Sequence, residues 1–391
     1  MSLISSILPV FRRELREVVK DSLYLSSLLL LPLLMVLFFV AMFSGGAIRG
    51  LPIALVDRDN SDMSRRLATM VNATRGVDIA YNVLSVDEAE KLMLSGDVVA
   101  ILYIDDGFEA DIFRGVPTKA ECYISGASIS ASGVVESDVQ LAVRTFSEGT
   151  ALNKLQLMGE SYAQAMIDIM PINFHAYIVS NPYLNYGYYL APIFMFMGIV
   201  IFTMLTSIFA IGRELRYSTA PQWLDSASGS MGAAIIGKLL PTTIVMVLFM
   251  QFIFFLLFVV MGMDCQGSYL ILLLGSILFI LAYQSVAVFI VSFTANLRLA
   301  LSLGGGYSVM AFTFSGITFP VMSMYGVAQI ISKLFPLTYF SDLFVDQAMR
   351  GVTVGRNIPE LLIMLSFTLL IPLSWRRIRR VTTDVNYYGR D

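Results

Sequence analysis

The feature of this sequence that most constrains its fold is a set of long, uninterrupted apolar runs. A helix that crosses a bilayer needs roughly 20 mostly apolar residues, and about six runs of that kind are present. They lie at residues 23–42, 190–211, 239–261, 269–292, 299–320 and 359–375. With 57% hydrophobic and 14% charged residues, the chain has more apolar surface than a soluble core would bury. Since transmembrane barrels show short alternating segments instead, the sequence predicts an α-helical polytopic membrane protein with about six transmembrane helices.

Charged residues divide the chain into membrane and soluble parts. Residues 44–186 carry charges at a density that no membrane-embedded segment tolerates, and apolar strands alternate there with helical segments. This pattern predicts an α/β domain between the first and second transmembrane helices. The predicted organisation is a cytoplasmic amphipathic helix, a first transmembrane helix, an extracytoplasmic α/β domain, a five-helix transmembrane domain and a cytoplasmic tail, at residues 1–22, 23–43, 44–186, 187–375 and 376–391.

The distribution of basic residues predicts how the chain is oriented. Short loops rich in lysine and arginine stay in the cytoplasm. The basic residues on one predicted side are Arg12, Arg13, Arg16, Lys20, Arg213, Arg216, Lys238, Arg298, Arg376, Arg377, Arg379 and Arg380. We therefore expect a multi-pass protein of the cytoplasmic (inner) membrane with both termini in the cytoplasm.

Residues that could carry catalysis or bind a metal are few. His175 is the only histidine, so histidine-based zinc sites and Ser/His/Asp triads lack their parts. Asp57, Asp59 and Asp62 follow a strand, where either a metal site or helix-capping turns would use them. The chain contains no G-x-x-x-x-G-K-[ST] loop that would bind ATP. We expect no catalytic residue, no metal site and no cofactor bound by this chain.

Polar side chains inside the apolar runs allow two interpretations. A secondary transporter coupled to protons or sodium would place ionisable residues there, and these runs have almost none. Hydroxyl and amide groups could line a substrate path or simply bond neighbouring helices together. The candidates for the path are Thr203, Ser207, Gln251, Tyr283 and Gln284. The run Gly304–Gly306 allows either a close helix approach or a local break.

Three motifs, in order along the chain, resemble those of the permease subunits of type 2 ABC exporters. Glu214, Ser218 and Thr219 resemble the family's E-x-G-T-like motif, with serine where glycine is usual. Residues 237–241, Gly-Lys-Leu-Leu-Pro, match its G-K-x-x-P-like entry to the third helix. The third match is an S-G-x-x-x-P and P-L-T-Y stretch with a later Arg-Gly pair, at Ser315, Gly316, Pro320, Pro336, Leu337, Thr338, Tyr339, Arg350 and Gly351. The order of elements is also similar, and the resemblance covers nearly the whole chain.

The resemblance implies a coupling loop and a re-entrant outer segment. In the family, the loop at residues 212–238 engages a separate cytoplasmic ABC ATPase, which binds ATP and magnesium. The candidate coupling residues are Arg213, Glu214, Arg216, Ser218, Thr219 and Trp223. The segment at residues 320–358 would dip into the membrane from outside, with a candidate outer gate at Pro336, Thr338, Tyr339, Asp342, Asp346 and Arg350. Asp346 and Arg350 are also spaced as an ordinary pair on one helix face.

The function that the resemblance implies is ATP-driven export. The chain would be the membrane subunit that moves an amphiphilic or bulky, drug-like or lipid-like substrate out of the cytoplasm or inner leaflet. Its expected partners are the ABC ATPase, a second permease half-unit that is identical or similar, the lipid bilayer and, by analogy, a periplasmic adaptor, but no nucleic acid. The alternative is a non-transporting relay or sensor that couples the outer domain to a cytoplasmic ATPase.

Overall fold

The chain forms two compact units. The computed structural model describes residues 3–172, 181, 185–316 and 319–389. One unit consists of Met1–Gly46 and Val179–Asp391, and the other of Ala47–Ile178. The sole histidine, His175, lies outside the described residues.

The unit Ala47–Ile178 is an α/β fold built on a four-stranded sheet in the order β2-β1-β3-β4. The strands are β1 Leu51–Asp57, β2 Val77–Asn82, β3 Ala100–Ile104 and β4 Ala120–Ile124. β1 is parallel to β2 and β3, whereas β4 is antiparallel to β3 and forms one edge. The helices are Asp62–Asn72, Val86–Ser95, Phe108–Arg114, Ile129–Leu157 and Tyr162–Ile169. The first two make the crossovers that parallel strands require.

The central strand of this sheet is apolar on both faces because helices cover both sides. Ile53 and Leu55 of β1 belong to one hydrophobic cluster, and Ala54 and Val56 belong to another. Since successive side chains of a strand point to opposite faces, this run of buried residues supplies both clusters at once.

The other unit is helical, and five helices of the described chain are long and apolar enough to cross a bilayer. They are span 1 Ser22–Phe43, span 2 Gly187–Arg216, span 3 Met231–Val260, span 4 Tyr269–Thr294 and span 5 Val354–Thr383. Span 5 contains the helices Ile358–Phe367 and Leu370–Thr383, so the predicted tail at 376–391 is helical as far as Thr383. The chain is therefore a polytopic, mostly helical membrane protein.

The predicted run at 299–320 forms a shorter helix than expected. Helix Leu297–Phe314 has 18 residues, roughly 27 Å at 1.5 Å per residue, and is not among the five spans found in the described chain. The glycines and the charged Arg298 lower its hydropathy. A count of six spans therefore stays a prediction.

Shorter helices complete the membrane unit. The N-terminal helix covers Leu3–Lys20, and a short helix covers Ala220–Ser226. The predicted re-entrant segment contains Val321–Ser323, Gly326–Ser332, Pro336–Phe344, a wider helical turn at Val345–Arg350, and Val354–Asn357. These helices are too short to cross a bilayer singly.

Span 2 is central to the membrane unit and packs against spans 1, 3 and 4 and the helix Leu297–Phe314. Glycines permit the closest contacts. A Cβ on Gly304 would lie 2.3 Å from Ile208 Cδ1, and one on Gly212 would lie 2.6 Å from Leu297 Cδ1. The helix is continuous through Gly304–Gly306, so the run does not break it. Gly304 serves the close approach, and a Cβ on Gly305 or Gly306 would meet nothing within 4 Å.

Candidate functional site

The predicted coupling loop, residues 212–238, is mostly helical. Span 2 continues to Arg216, the short helix Ala220–Ser226 follows, and span 3 begins at Met231. Only the turns at residues 217–219 and 227–230 separate these helices. The geometry of the two turns therefore decides how the short helix is held.

Ser218 ends span 2 in a left-handed turn. Its φ angle is +57°. Its N–H donates to Leu215 O at 3.3 Å, and the N–H of Thr219 donates to Glu214 O at 2.9 Å. These two bonds form a Schellman C-cap, which usually contains glycine because a Cβ strains the left-handed conformation. Serine therefore adopts here the turn for which glycine is the usual residue.

Trp223 fixes the short helix against the beginning of span 3. Its side chain is fully buried, and its Nε1–H donates to Ala234 O at 3.1 Å. The turn into span 3 uses left-handed residues at Ser228 and Gly229, and Ser230 then caps the helix. Because an indole N–H needs a partner when buried, this bond favours one orientation of the short helix.

A buried ion cluster joins the ends of spans 2 and 3 to the N-terminal helix. Glu14, Glu214 and Lys238 each expose at most 1% of their surface. Lys238 Nζ contacts Glu14 Oε2 and Glu214 Oε1. The other oxygen of Glu214, Oε2, accepts from Arg13 Nη2 at 2.8 Å and from Thr219 Oγ1 at 2.5 Å. Two carboxylates therefore face two cations, and the charge of this cluster is balanced.

The N-terminal helix contributes a buried stripe of residues spaced four apart, Ser6, Val10, Glu14 and Val18. Gly237 of span 3 makes its close approach possible, because a Cβ there would lie 2.7 Å from Val10 Cβ and 2.8 Å from Ile7 O. The G-K pair of the third-helix motif thus has two roles at one contact. The glycine admits the helix backbone, and the lysine neutralises its buried glutamate.

Two further contacts extend the cluster. Tyr24, at the start of span 1, donates its hydroxyl to Glu14 Oε1 at 2.9 Å. Arg213 pairs with Glu17 at 2.8 Å and also lies over the Phe209 ring, 5.7 Å from its centroid. The N-terminal helix is thereby held to spans 1, 2 and 3 by charged or polar bonds.

Such a cluster is sensitive to the loss of any single charged member. Burying an ion costs several kcal/mol, and removing one partner of a buried pair destabilises a protein by about 3–5 kcal/mol. A displacement of any one of the three helices would separate a buried ion pair. The cluster therefore couples the positions of the N-terminal helix, span 2 and span 3.

The structure brings most of the predicted coupling residues together. Glu214 and Thr219 bond within the cluster, and Arg213, Ser218 and Trp223 surround it in the contacts described above. Arg216 stacks over the neighbouring Tyr217 ring at 5.8 Å to its centroid. Their role in contacting an ATPase stays a prediction.

The residues that complete the cluster were not among the predicted site residues: Arg13, Glu14, Glu17, Tyr24 and Lys238. Arg13 and Lys238 were predicted only to face the cytoplasm, and Lys238 also as part of the third-helix motif. A signal for them was present. Glu14 lies in register with Val10 and Val18 on the apolar face of an amphipathic helix, and Lys238 begins an otherwise apolar run. A charge on an apolar face needs a buried partner, but the sequence does not say which one.

Comparison with known families decides what kind of protein carries this arrangement. The sequence model described as "ABC-2 family transporter protein" matches residues 23–374. The chain belongs to the ABC-2 transporter family. It is a membrane permease of an ABC exporter, and its family implies a partner ATPase subunit. No curated protein matches the chain.

The predicted path residues of the permease are mostly buried in helix contacts. Gln284 of span 4 accepts from Thr243 Oγ1 at 2.8 Å and donates to Leu239 O at 3.3 Å. Gln251 of span 3 accepts from Tyr269 OH at 2.7 Å and donates to Ser276 Oγ at 3.1 Å. Both glutamines thus bond spans 3 and 4 together, as the simpler interpretation predicts.

The other path candidates are also internal to the permease. Tyr283 is fully buried, and its hydroxyl accepts the N–H of Leu337 at 3.2 Å. Thr203 and Ser207 lie four apart on span 2, and their buried hydroxyls have no hydrogen-bond partner within the described chain. A substrate path through any of these residues stays a prediction.

The predicted outer-gate residues separate into two groups. Pro336, Thr338 and Tyr339 belong to the first turn of their helix, where Thr338 Oγ1 donates to Ser332 O at 2.9 Å and Tyr339 OH donates to Lys333 O at 3.1 Å. These bonds hold the turn that precedes the helix. A gating role stays a prediction.

The second group centres on Asp346. Its Oδ1 accepts from Arg350 Nη1 at 2.9 Å, which is the pair that the spacing predicted, and its Oδ2 accepts from Asn357 Nδ2 at 3.2 Å. Gln347 bonds Asn357 at 2.6 Å and accepts the N–H of Ser268 at 2.8 Å. Asp342, in the preceding helix Pro336–Phe344, is exposed. Gln347 and Asn357, both fully buried, are the members that sequence reasoning missed.

The acidic cluster of the α/β unit forms turns and caps. Asp57 Oδ1 accepts the N–H groups of Asp59 and Asn60, at 3.1 and 3.0 Å, and its Oδ2 accepts from Ser64 Oγ at 2.7 Å. Burial acts to raise the pKa of Asp59, but hydrogen bonds from Ser61 and from backbone N–H groups outweigh it and lower that pKa. These carboxylates are used as the turn interpretation predicts.

Proposed function

We propose that this permease is one half-unit of an exporter whose separate ATPase docks on the short helix Ala220–Ser226 and the turn before it. The observation that supports this is the buried ion cluster directly behind that surface. It ties the short helix, through Thr219 and Glu214, to the N-terminal helix and to span 3. A push on the short helix would therefore move three helices together.

The exposed side of this segment carries one large aromatic side chain that could anchor a partner. Tyr217 exposes 61% of its surface, and Pro221, Gln222 and Asp225 are exposed beside it. Aromatic residues are enriched among those that contribute most to protein interfaces. Buried Trp223 holds the helix from behind, so the exposed side is presented on a rigid support.

The transported substrate that we propose is amphiphilic or bulky. The described spans contain few titratable groups that could couple transport to an ion gradient, so the energy would come from ATP and magnesium on the partner subunit. A second half-unit would complete the path. The closure of the ATPase subunits on ATP would be transmitted to the spans by rigid-body movement of the coupled helices.

The test is copurification from the native membrane with a matched pair of variants. Tyr217→Asp places a charge on the proposed docking surface, and Tyr325→Asp changes a tyrosine that is 84% exposed in a different segment. Wild type and Tyr325→Asp should retain a P-loop ATPase identified by mass spectrometry, and Tyr217→Asp should lose it. Glu214→Arg is less informative, because Glu214 is buried and its reversal would disrupt the fold.

Two results would contradict the proposal. If no P-loop ATPase accompanies the wild-type chain under several gentle extraction conditions, ATP-driven export by this chain is wrong. If the ATPase accompanies Tyr217→Asp as well as wild type, the docking surface lies elsewhere. A relay without transport would keep the ATPase but show no ATP-dependent movement of any amphiphile in proteoliposomes.

A further inference from the structure

The α/β unit contains a groove that coupling to an ATPase does not use. Its walls come from the helices Asp62–Asn72, Phe108–Arg114 and Ile129–Leu157. Its volume is about 1210 Å³, above the roughly 300–1,000 Å³ that small-molecule sites usually have. The groove lies wholly within Ala47–Ile178.

The groove is lined mainly by apolar side chains. Leu67 and Phe108 are buried at its base, and Phe146 stacks on Phe108 with 6.0 Å between ring centroids. At its edge, Phe113 exposes 69% and Leu157 exposes 90% of its surface. Large apolar side chains gathered around a concavity indicate a binding surface for an apolar group.

The charged residues of the groove are all cations. Among the described residues, Arg66 and Lys154 are the only charged side chains that line it, and both are exposed. Lys154 Nζ lies against Gly115, 2.9 Å from where a Cβ would be on that glycine. Arg65 and Arg144, on the same two helices, form ion pairs, whereas Arg66 and Lys154 form none with the part of the chain that is described.

We propose that this groove binds an amphiphile with a long hydrocarbon part and one acidic head group. The hydrocarbon would lie against Leu67, Phe108 and Phe146, where it leaves water. The acid would lie near Arg66 and Lys154, whose charges attract it and would oppose a cationic head group. This proposal concerns binding alone and does not depend on the docking of an ATPase.

The probe is a hexadecanoate that carries a diazirine on its chain. It is added to the full-length permease in nanodiscs of neutral phosphatidylcholine, and the labelled peptides are located by mass spectrometry after irradiation. Labelling should fall on peptides of the three helices that line the groove. Unlabelled hexadecanoate should compete, whereas octanoate and hexadecyltrimethylammonium should compete at least about tenfold less well.

Two glycines of one helix give a matched pair for blocking the groove. Gly149 and Gly133 both lie in Ile129–Leu157, and a Cβ at either meets nothing within 4 Å. Only Gly149 lines the groove. Gly149→Trp should abolish labelling, whereas Gly133→Trp should leave it unchanged, and both variants should fold because glycine is a poor helix residue.

Charge reversal gives a second pair with equal change in net charge. Arg66→Glu with Lys154→Glu should raise the half-saturating probe concentration about tenfold, since two attractions become repulsions. The control pair, Arg65→Glu with Lys91→Glu, reverses exposed cations outside the groove. It should change the half-saturating probe concentration less than twofold.

Three outcomes would overturn the inference. The first is labelling confined to the membrane spans, which would mean that the probe binds lipid-facing surfaces only. The second is equal labelling in Gly149→Trp and Gly133→Trp. The third is competition by hexadecyltrimethylammonium as strong as that by hexadecanoate, which would exclude selection for an acid. None of these outcomes bears on copurification of an ATPase.

Discussion

Replacing Lys238 by methionine should destabilise the permease by about 3–4 kcal/mol at pH 7. The variant keeps an unbranched side chain that is one atom shorter and removes the cation that contacts Glu14 and Glu214. Arg13 then faces two buried carboxylates, and one negative charge lacks a partner. Breaking a buried pair costs about 3–5 kcal/mol in other proteins.

A second estimate comes from the proton that could replace the lysine. The excess charge can be removed by protonating one carboxyl. With the ordinary glutamate pKa of about 4.3, this costs about 3.7 kcal/mol at pH 7 and about 1 kcal/mol at pH 5. In the variant, the folded state would then bind one proton more than the unfolded state. Its stability relative to wild type should therefore fall as the pH rises from 5 to 7.

The double variant Lys238→Met with Glu14→Gln restores the charge balance. Glu214 keeps Arg13, and the amide oxygen at position 14 can still accept from Tyr24. We expect the double variant to lose only about 1–2 kcal/mol, less than Lys238→Met alone, because no buried charge is left unpaired.

The assay is reversible unfolding in mixed micelles with increasing dodecyl sulfate. The chain has two tryptophans, so Trp375→Phe leaves Trp223 as the reporter. Its ring centroid lies 5.9 Å from Lys238 Nζ. The reasoning is refuted if Lys238→Met costs less than about 1 kcal/mol, if its effect is the same at pH 5 and pH 7, or if the double variant is the least stable of the three.

Three further predictions follow from single residues. Ser218→Gly should stabilise the permease by about 1 kcal/mol, because glycine adopts the left-handed turn without strain. Ser218→Val should destabilise it, because a Cβ strains that conformation. The same micelle titration measures both variants. Gln347→Leu should lower the free energy of unfolding by about 3 kcal/mol, since it leaves the partner groups at Ser268 and Asn357 unpaired. The control Gln266→Leu changes an exposed glutamine and should lower it by less than about 0.5 kcal/mol; equal losses in the two variants would contradict the reasoning. Burial raises the pKa of Cys122 to about 11. In a Cys265→Ser background, the rate of maleimide labelling should therefore rise about tenfold per pH unit from pH 7 to 10, because the thiolate is the form that reacts. A plateau of the rate near pH 8 would contradict this.

Some parts of the site could be predicted from short stretches of sequence. The Glu214, Ser218 and Thr219 motif lies at the end of one helix, and the bonds that form its turn join residues at most five apart. The Asp346 and Arg350 pair depends only on helical spacing. Local spacing therefore identified the turn that ends span 2 and one ion pair of the segment between helix Leu297–Phe314 and span 5.

Other parts could not be predicted because their partners are distant in the chain. Arg13 and Glu214 are 201 residues apart, and nothing near either one specifies the other. The same limit applies to Gln347, whose buried amide joins Ser268 to Asn357. A polar residue on an apolar face signals that a partner exists, but only packing determines its identity.

The sequence by itself determined that this chain is a helical membrane protein with an α/β insertion, because apolar runs and strand alternation are local patterns fixed by bilayer thickness and backbone periodicity. Tertiary structure decided which helices pack together, that the glutamines at 251 and 284 bond spans 3 and 4, and that Lys238 neutralises Glu14. It also formed the groove, whose apolar base comes from three helices spread over the α/β unit. The physical reason is that burial and charge pairing depend on distance in space, which the order of residues constrains only weakly.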